Sequence, residues 1–174
     1  MSEPLASSIA RIFKADKTTV VGAGFLAAAR QVLTCAHVVA RALNAPEDSL
    51  QAPRGKVWLD FLAAAGQKMS AHVILWRPPE ANGGGDIAGL ELDEDPPPGA
   101  QPARLLKADN LWQHDFATFG CPPGQDGGVH ATGKLLGPQA YGWVQIEDWK
   151  AQGYRVHEGF SGAPVWDRDI RKED

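Results

Sequence analysis

The sequence predicts an all-β protein made of many short strands. Apolar runs rich in Val, Ile, Leu and Phe recur along the chain, and several of them alternate in the two-residue period of a half-buried strand. Nineteen glycines and thirteen prolines in 174 residues are spread throughout as turn punctuation. That spacing favours many brief elements over a few long helices.

Taken in order, "SIARIF" (8–13), "TTVVGAGFLAAA" (18–29) and "RQVLTC" (30–35) read as the first three strands. "FLAAAR" is helix-friendly by propensity, but it is short and bracketed by strand patterns, so strand is retained there. "AHVVARAL" (36–43) follows as a short helix. "KVWLDFLAAA" (56–65) and "KMSAHVILW" (68–76) form the next strand pair around a turn near Gly66, and "DIAGLEL" (86–92) completes a first group of about six strands. "DEDPPPGAQPA", Asp93 to Ala103, interrupts the pattern. Three consecutive prolines cannot continue a sheet or a helix, and the acids keep the segment in water. The expected division is therefore 1–92, a connector at 93–103, and 104–174. Beyond the connector, "ARLL", "HDFATFGCP", "VHATGKLLG", "YGWVQIEDW" and "FSGAPVW" supply about five more strand candidates.

A net charge of −4 offers no broad basic surface, so nucleic acid is not an expected partner. No stretch approaches the roughly 18–20 apolar residues that span a bilayer, and "MSEPLASSIARIFKAD" lacks a signal-peptide pattern. Cys35 and Cys121 are far apart and do not suggest a disulfide framework, so a cytoplasmic chain with reduced thiols is expected. Paired metal-ligand spacing is not evident, and no metal or cofactor is expected.

Chemistry concentrates in "HEGFSGAPVWD", His157 to Asp167. A serine hydroxyl is a weak nucleophile and needs a base, a group to orient that base, and N–H donors for the developing oxyanion. Gly159 and Gly162 flank Ser161 and permit such a cradle, although on local sequence alone a glycine-rich surface turn is an equal reading. Of the five histidines, His72, His114 and His130 sit in ordinary strand contexts. His37 instead stands where a strand run turns into a helix, a rigid junction suited to a base. Asp86 follows "NGGG" and precedes an apolar strand, unlike the solvated acids of "DEDPPP" and "DRDIRKED", and a part-buried carboxylate needs a partner; taken alone, a strand-start aspartate in a glycine loop is an equal reading. The order His37, Asp86, Ser161 excludes hydrolase classes in which histidine follows serine, and those with an aspartate of suitable context ahead of the histidine.

"GAGFLAAARQVLTCAHVV", "GDIAGLEL" and "GFSGAPVW" together resemble the three signature segments of trypsin-like serine peptidases, especially the bacterial cysteine-poor type. The resemblance covers most of the chain. It implies the chymotrypsin-type fold, two six-stranded antiparallel barrels with the active site between them. His37 would be the base, Asp86 its orienting carboxylate and Ser161 the nucleophile, with the backbone N–H groups of Gly159 and Ser161 as the oxyanion hole. Arg155, six residues before Ser161, would lie near the specificity pocket and, with His157, favour an acidic side chain; a solvent-facing Arg155 is an equal alternative. The expected activity is endopeptidase action on proteins or peptides, rising with pH through roughly 6 to 7.5 as an imidazole base loses its proton. The resemblance further implies a domain of a larger bacterial signalling or defence protein, with the second barrel about one strand short. A silent fold that binds a partner through its cleft or open edge, and an esterase using the same triad, are the alternatives.

Overall fold

The computed structural model describes residues 4–108, 110–140, 142–148 and 153–170. Its first half is a closed barrel of six strands: β1 (Ile9–Phe13), β2 (Val20–Ala28), β3 (Gln31–Thr34), β4 (Val57–Phe61), β5 (Met69–Arg77) and β6 (Ile87–Leu92). The barrel order is β1-β2-β3-β6-β5-β4, with every pairing antiparallel. Closure leaves no free edge. A short helix, α1 (Pro4–Ser8), precedes β1 where the sequence suggested none, and α2 (Ala36–Ala42) occupies the expected "AHVVARAL" position. "KVWLDFLAAA" is strand only as far as Phe61, and Leu62–Ala64 form one 3₁₀ turn.

The inward residues follow from alternation. Ile12, Leu26, Val32, Leu59, Phe61, Leu90 and Leu92 are fully buried and meet Val38 and Val39 from α2 in one core. Burying each such side chain contributes about 1.5–3 kcal/mol. One charged position of the barrel strands is buried: Asp60 has no exposed side-chain surface and accepts hydrogen bonds from Arg11 at 2.9 and 2.8 Å, Lys68 Nζ at 2.7 Å and the Gly66 N–H at 2.8 Å. Burial pushes the Asp60 carboxyl up. The hydrogen bonds from Arg11, Lys68 and Gly66 outweigh burial and hold it below the usual carboxylate range.

The second half is more open than expected. Strands β7 (Asp115–Gly120), β8 (Val129–Pro138), β9 (Val144–Glu147) and β10 (Trp166–Asp167) form a four-stranded sheet ordered β10-β7-β8-β9. It does not close among the described residues, so one closed barrel and one open sheet stand where two barrels were expected. "ARLL" is irregular, and "FSGAPVW" folds into turns up to Val165 because Gly159 and Gly162 adopt φ of +96° and +82° and Pro164 lacks an N–H. Of "YGWVQIEDW", Tyr141 and Trp149 lie outside the described residues, as do the last four residues of "DRDIRKED". The two halves are joined by a small cluster in which Leu5 and Ile9 pack with Phe119 and Cys121. Arg11 also donates to the Asp126 carbonyl at 2.8 Å. The proline-rich connector runs along the barrel through Gln101 N–H to Ser7 O and Ala103 N–H to Leu26 O.

Candidate active site

The register of the barrel brings His37 and Asp86 together. Strands β3 and β6 pair Thr34 with Ala88 in antiparallel register, so Ala36, two residues after Thr34, and Asp86, two residues before Ala88, lie at the same end of the pair. His37 sits in the first turn of α2, just past the N-cap Cys35, while Asp86 stands immediately before β6. Asp86 adopts φ of +56°, a left-handed conformation that aspartate tolerates better than most residues but that is uncommon off glycine. That backbone turns its carboxylate onto the start of α2. Asp86 Oδ2 lies 2.7 Å from His37 Nδ1, and Oδ1 accepts the His37 backbone N–H at 3.0 Å. One carboxylate thus grips both the ring and the main chain of the same residue. His37 and Asp86 are 17% and 32% exposed, open enough for a reactant and sheltered enough to strengthen the contact.

Ser161 lies on two successive tight turns. His157 O accepts from Phe160 N–H at 3.1 Å, and Phe160 O accepts from Ala163 N–H at 3.0 Å. Each turn has glycine at its third position, Gly159 and then Gly162. A Cβ on Gly159 would stand 2.4 Å from the Cys121 carbonyl, and one on Gly162 would stand 2.1 Å from the Ala23 carbonyl. Only glycine accommodates both the dihedral and the approach. The double turn is pinned from both halves of the molecule: Cys121 N–H donates to Gly159 O at 2.8 Å, Thr118 Oγ1 to Pro164 O at 2.9 Å, and Ala23 N–H to Ser161 O at 2.9 Å. Phe160 is buried against Gly120. A Cβ on Gly22 would meet both the Val38 side chain, at 2.7 Å, and Ser161 O, at 3.2 Å, so Gly22 lies near both the serine turn and α2. Among the described residues no hydrogen bond joins Ser161 Oγ to the His37 ring, and the N–H groups of Gly159 and Ser161 donate to no backbone carbonyl.

Arg155 and His157 are both exposed, the latter edge-on to Phe160 with ring centroids 5.9 Å apart. The three histidines set aside at first have ordinary surroundings. His72 pairs with Asp93 at 3.3 Å and His114 with Asp167 at 2.8 Å, while His130 packs on Phe119. Sequence reasoning missed the position of Cys35. Its sulfur lies within 4.8 Å of the ligating atoms of both His37 and Asp86. Burial, then the charge of Asp86, pushes the thiol up to about 11. The signal lay in the two-residue interval between Cys35 and His37. Reasoning from sequence also missed Trp143, which precedes β9 and lies over Gly83, in the loop that leads to Asp86. A groove of about 890 Å³ reaches the serine turn at Glu158 and Gly159 and is lined also by Lys14, Val20, Arg41 and Pro122; His37 and Ser161 do not line it.

A closed six-stranded antiparallel barrel beside a second sheet that stays open among the described residues is the architecture against which relatives can be sought. A family model described as the trypsin-like peptidase domain matches residues 22–171, and the chain belongs to that family. Solved structures with the same fold include Rv3671c of M. tuberculosis H37Rv in its inactive form, with 21% identity over 94% of this chain and 73% of that one and a TM-score of 0.59. Neuropsin, a serine protease of mouse brain, matches at 15% identity over 95% and 79% with a TM-score of 0.65. The serine endoprotease from Yersinia pestis matches at 15% over 94% and 51% with a TM-score of 0.61. At these identities the likeness is one of fold. No curated protein matches the chain. No helix among the described residues is long and apolar enough to cross a membrane.

Proposed function

We propose that the chain is a serine endopeptidase that cleaves peptide bonds in protein substrates through His37, Asp86 and Ser161. The observation that carries this reading is the double grip of Asp86 on His37, at 2.7 Å to the ring and 3.0 Å to the backbone. A carboxylate on Nδ1 fixes the tautomer whose Nε2 is bare and able to accept a proton. In the proposed reaction, His37 takes the Ser161 proton as Oγ attacks the peptide carbonyl, and Asp86 stabilises the imidazolium. The N–H groups of Gly159 and Ser161 receive the oxyanion. The protonated ring then hands its proton to the leaving amine, and water hydrolyses the acyl-enzyme with the same base. Substrate approach closes the gap between Ser161 Oγ and Nε2, since such bonds often tighten only in the complex.

The division proposed with it is 1–92 for base and acid, 93–103 for the connector and 104–174 for the nucleophile. It is supported by the end of β6 at Leu92 and the start of β7 at Asp115. Arg155 and His157, exposed on the approach to Ser161, are proposed to favour an acidic side chain at the cleaved position, and cleavage profiling checks that preference. The edge of β9, unpaired among the described residues, is consistent with work inside a larger signalling or defence protein, and two free thiols with a reducing, cytoplasmic setting. The test is an aryl phosphonate probe that reacts with activated serines. Labelling of this chain together with peptide hydrolysis, both lost in Ser161→Ala, is the expected result. A folded chain that neither reacts nor hydrolyses peptides would instead be a binding module of the same fold.

A further inference from the structure

Cys35 has no part in the acyl transfer proposed above, yet its sulfur stands beside the pair that performs it. Cys35 Sγ, a ring nitrogen of His37 and a carboxylate oxygen of Asp86 all lie within 4.8 Å of one another, and all three residues are partly buried. Thiolate, imidazole and carboxylate are the usual protein ligands of zinc, with bonds of about 2.0–2.3 Å. Ligands held at those lengths around a tetrahedral ion stand roughly 3.3–3.8 Å from each other. Closing on an ion would widen the 2.7 Å contact between Nδ1 and Oδ2 and draw in the sulfur, which stands within 4.8 Å of both. The scaffold is already rigid, because Cys35 and His37 open one helix and Asp86 is fixed against it by the His37 N–H.

We propose that Cys35, His37 and Asp86 form a regulatory zinc site, in which Zn²⁺ takes the place of the Nδ1 proton and switches the peptidase off. The switch rests on the catalytic reading above. The thiol releases one proton to solvent and becomes the thiolate ligand. The imidazole exchanges its Nδ1 proton for the metal and carries a proton on Nε2, so the ring stays neutral overall. A base for Ser161 needs a lone pair on Nε2, and the metal-bound tautomer has none. Three protein ligands leave a fourth position for water, and stripping the ion restores the original tautomer.

The experiment separates binding from catalysis. Ser161→Ala protein, which has no hydrolysis to lose, is titrated with Co²⁺ as a spectroscopic stand-in for zinc. The expected result is a sulfur-to-cobalt charge-transfer band with the visible bands of tetrahedral Co²⁺. Both saturate at one ion and are displaced by Zn²⁺. They persist with Cys121→Ala added and vanish with Cys35→Ala or Cys35→Ser. In the chain with Ser161 intact, micromolar Zn²⁺ lowers the initial rate at least about tenfold and a chelator restores it. Each Cys35 variant, measured against its own metal-free rate, needs at least about tenfold more zinc for the same inhibition. The other grouping of donors among the described residues, His114 with Asp167 and Asp169, has no thiol and cannot produce the charge-transfer band. A band that survives both Cys35 substitutions, or an inhibition midpoint unchanged by them, overturns the proposal. Hydrolysis with no band sinks the metal site alone, whereas a Cys35-dependent band in a chain that hydrolyses nothing sinks the catalytic reading and leaves the metal site standing.

Discussion

The two halves of this molecule solve the problem of a β-sheet edge differently. The barrel of β1–β6 closes on itself around one continuous core, whereas the sheet of β7–β10 stays open among the described residues and ends at the exposed strand β9. The site inherits that asymmetry. His37 and Asp86 are fixed by barrel register and by each other, but Ser161 rides on a double turn. That turn keeps its place through main-chain bonds to Ala23 of the barrel and Cys121 of the open half. Rigidity is supplied by one side and borrowed by the other.

Four substitutions break or sharpen this contrast, each with its own measurement. Asp86→Asn should lower the hydrolysis rate by about 10⁴-fold, because an amide at Nδ1 favours the wrong tautomer. Its thermal midpoint should barely move; a rate within tenfold of the parent would show that the barrel does not orient the base. Phe61→Ala, in the barrel core, should cost about 3–5 kcal/mol in urea denaturation. A markedly smaller loss would mean that the closed half is no better packed than the open one.

Arg11→Met is expected to cost about 2 kcal/mol. It removes one partner of the buried Asp60 and the bond to the Asp126 carbonyl that ties the halves together, while Lys68 and Gly66 remain. The same pair sets a pH dependence. Because the folded Asp60 carboxyl is held below its ordinary value, its contribution is complete above pH ~4 and is lost as pH falls further, through the folded value. In Arg11→Met the acid loss attributable to this carboxylate should shrink, which parallel denaturation series at neutral and acidic pH would reveal. Val144→Lys, at the open edge, should change stability by less than about 0.5 kcal/mol while reducing any concentration-dependent self-association seen by light scattering.

The barrel was legible from sequence because alternation in "VWLDF" and "IAGLEL" and a strand-to-helix junction at "LTCAHVV" are local signals. His37, Asp86 and Ser161 could be singled out for the same reason: each sits where a residue pattern changes. Relations between strands could not be read that way. The pairing of Arg11 with Asp60 depends on β1 lying beside β4, and neither residue was singled out from sequence. From sequence, Cys35 is only a thiol outside any disulfide framework, and its place near Asp86 follows from the pairing of Thr34 with Ala88. "FSGAPVW" reads as a strand candidate, but the positive dihedrals of Gly162 and of Gly159 just before the segment, with Pro164, bend this stretch into turns.

The alignment of β3 against β6 has a consequence for how such a chain tolerates change. Deleting a single residue from either ribbon would invert which side chains face inward and carry the acid away from the ring, however well the remaining strands knit. Lengthening the segments at 44–56 or 78–85 spares that alignment and adds only slowly growing loop entropy. Variation in this molecule is therefore cheap in span and severe in phase.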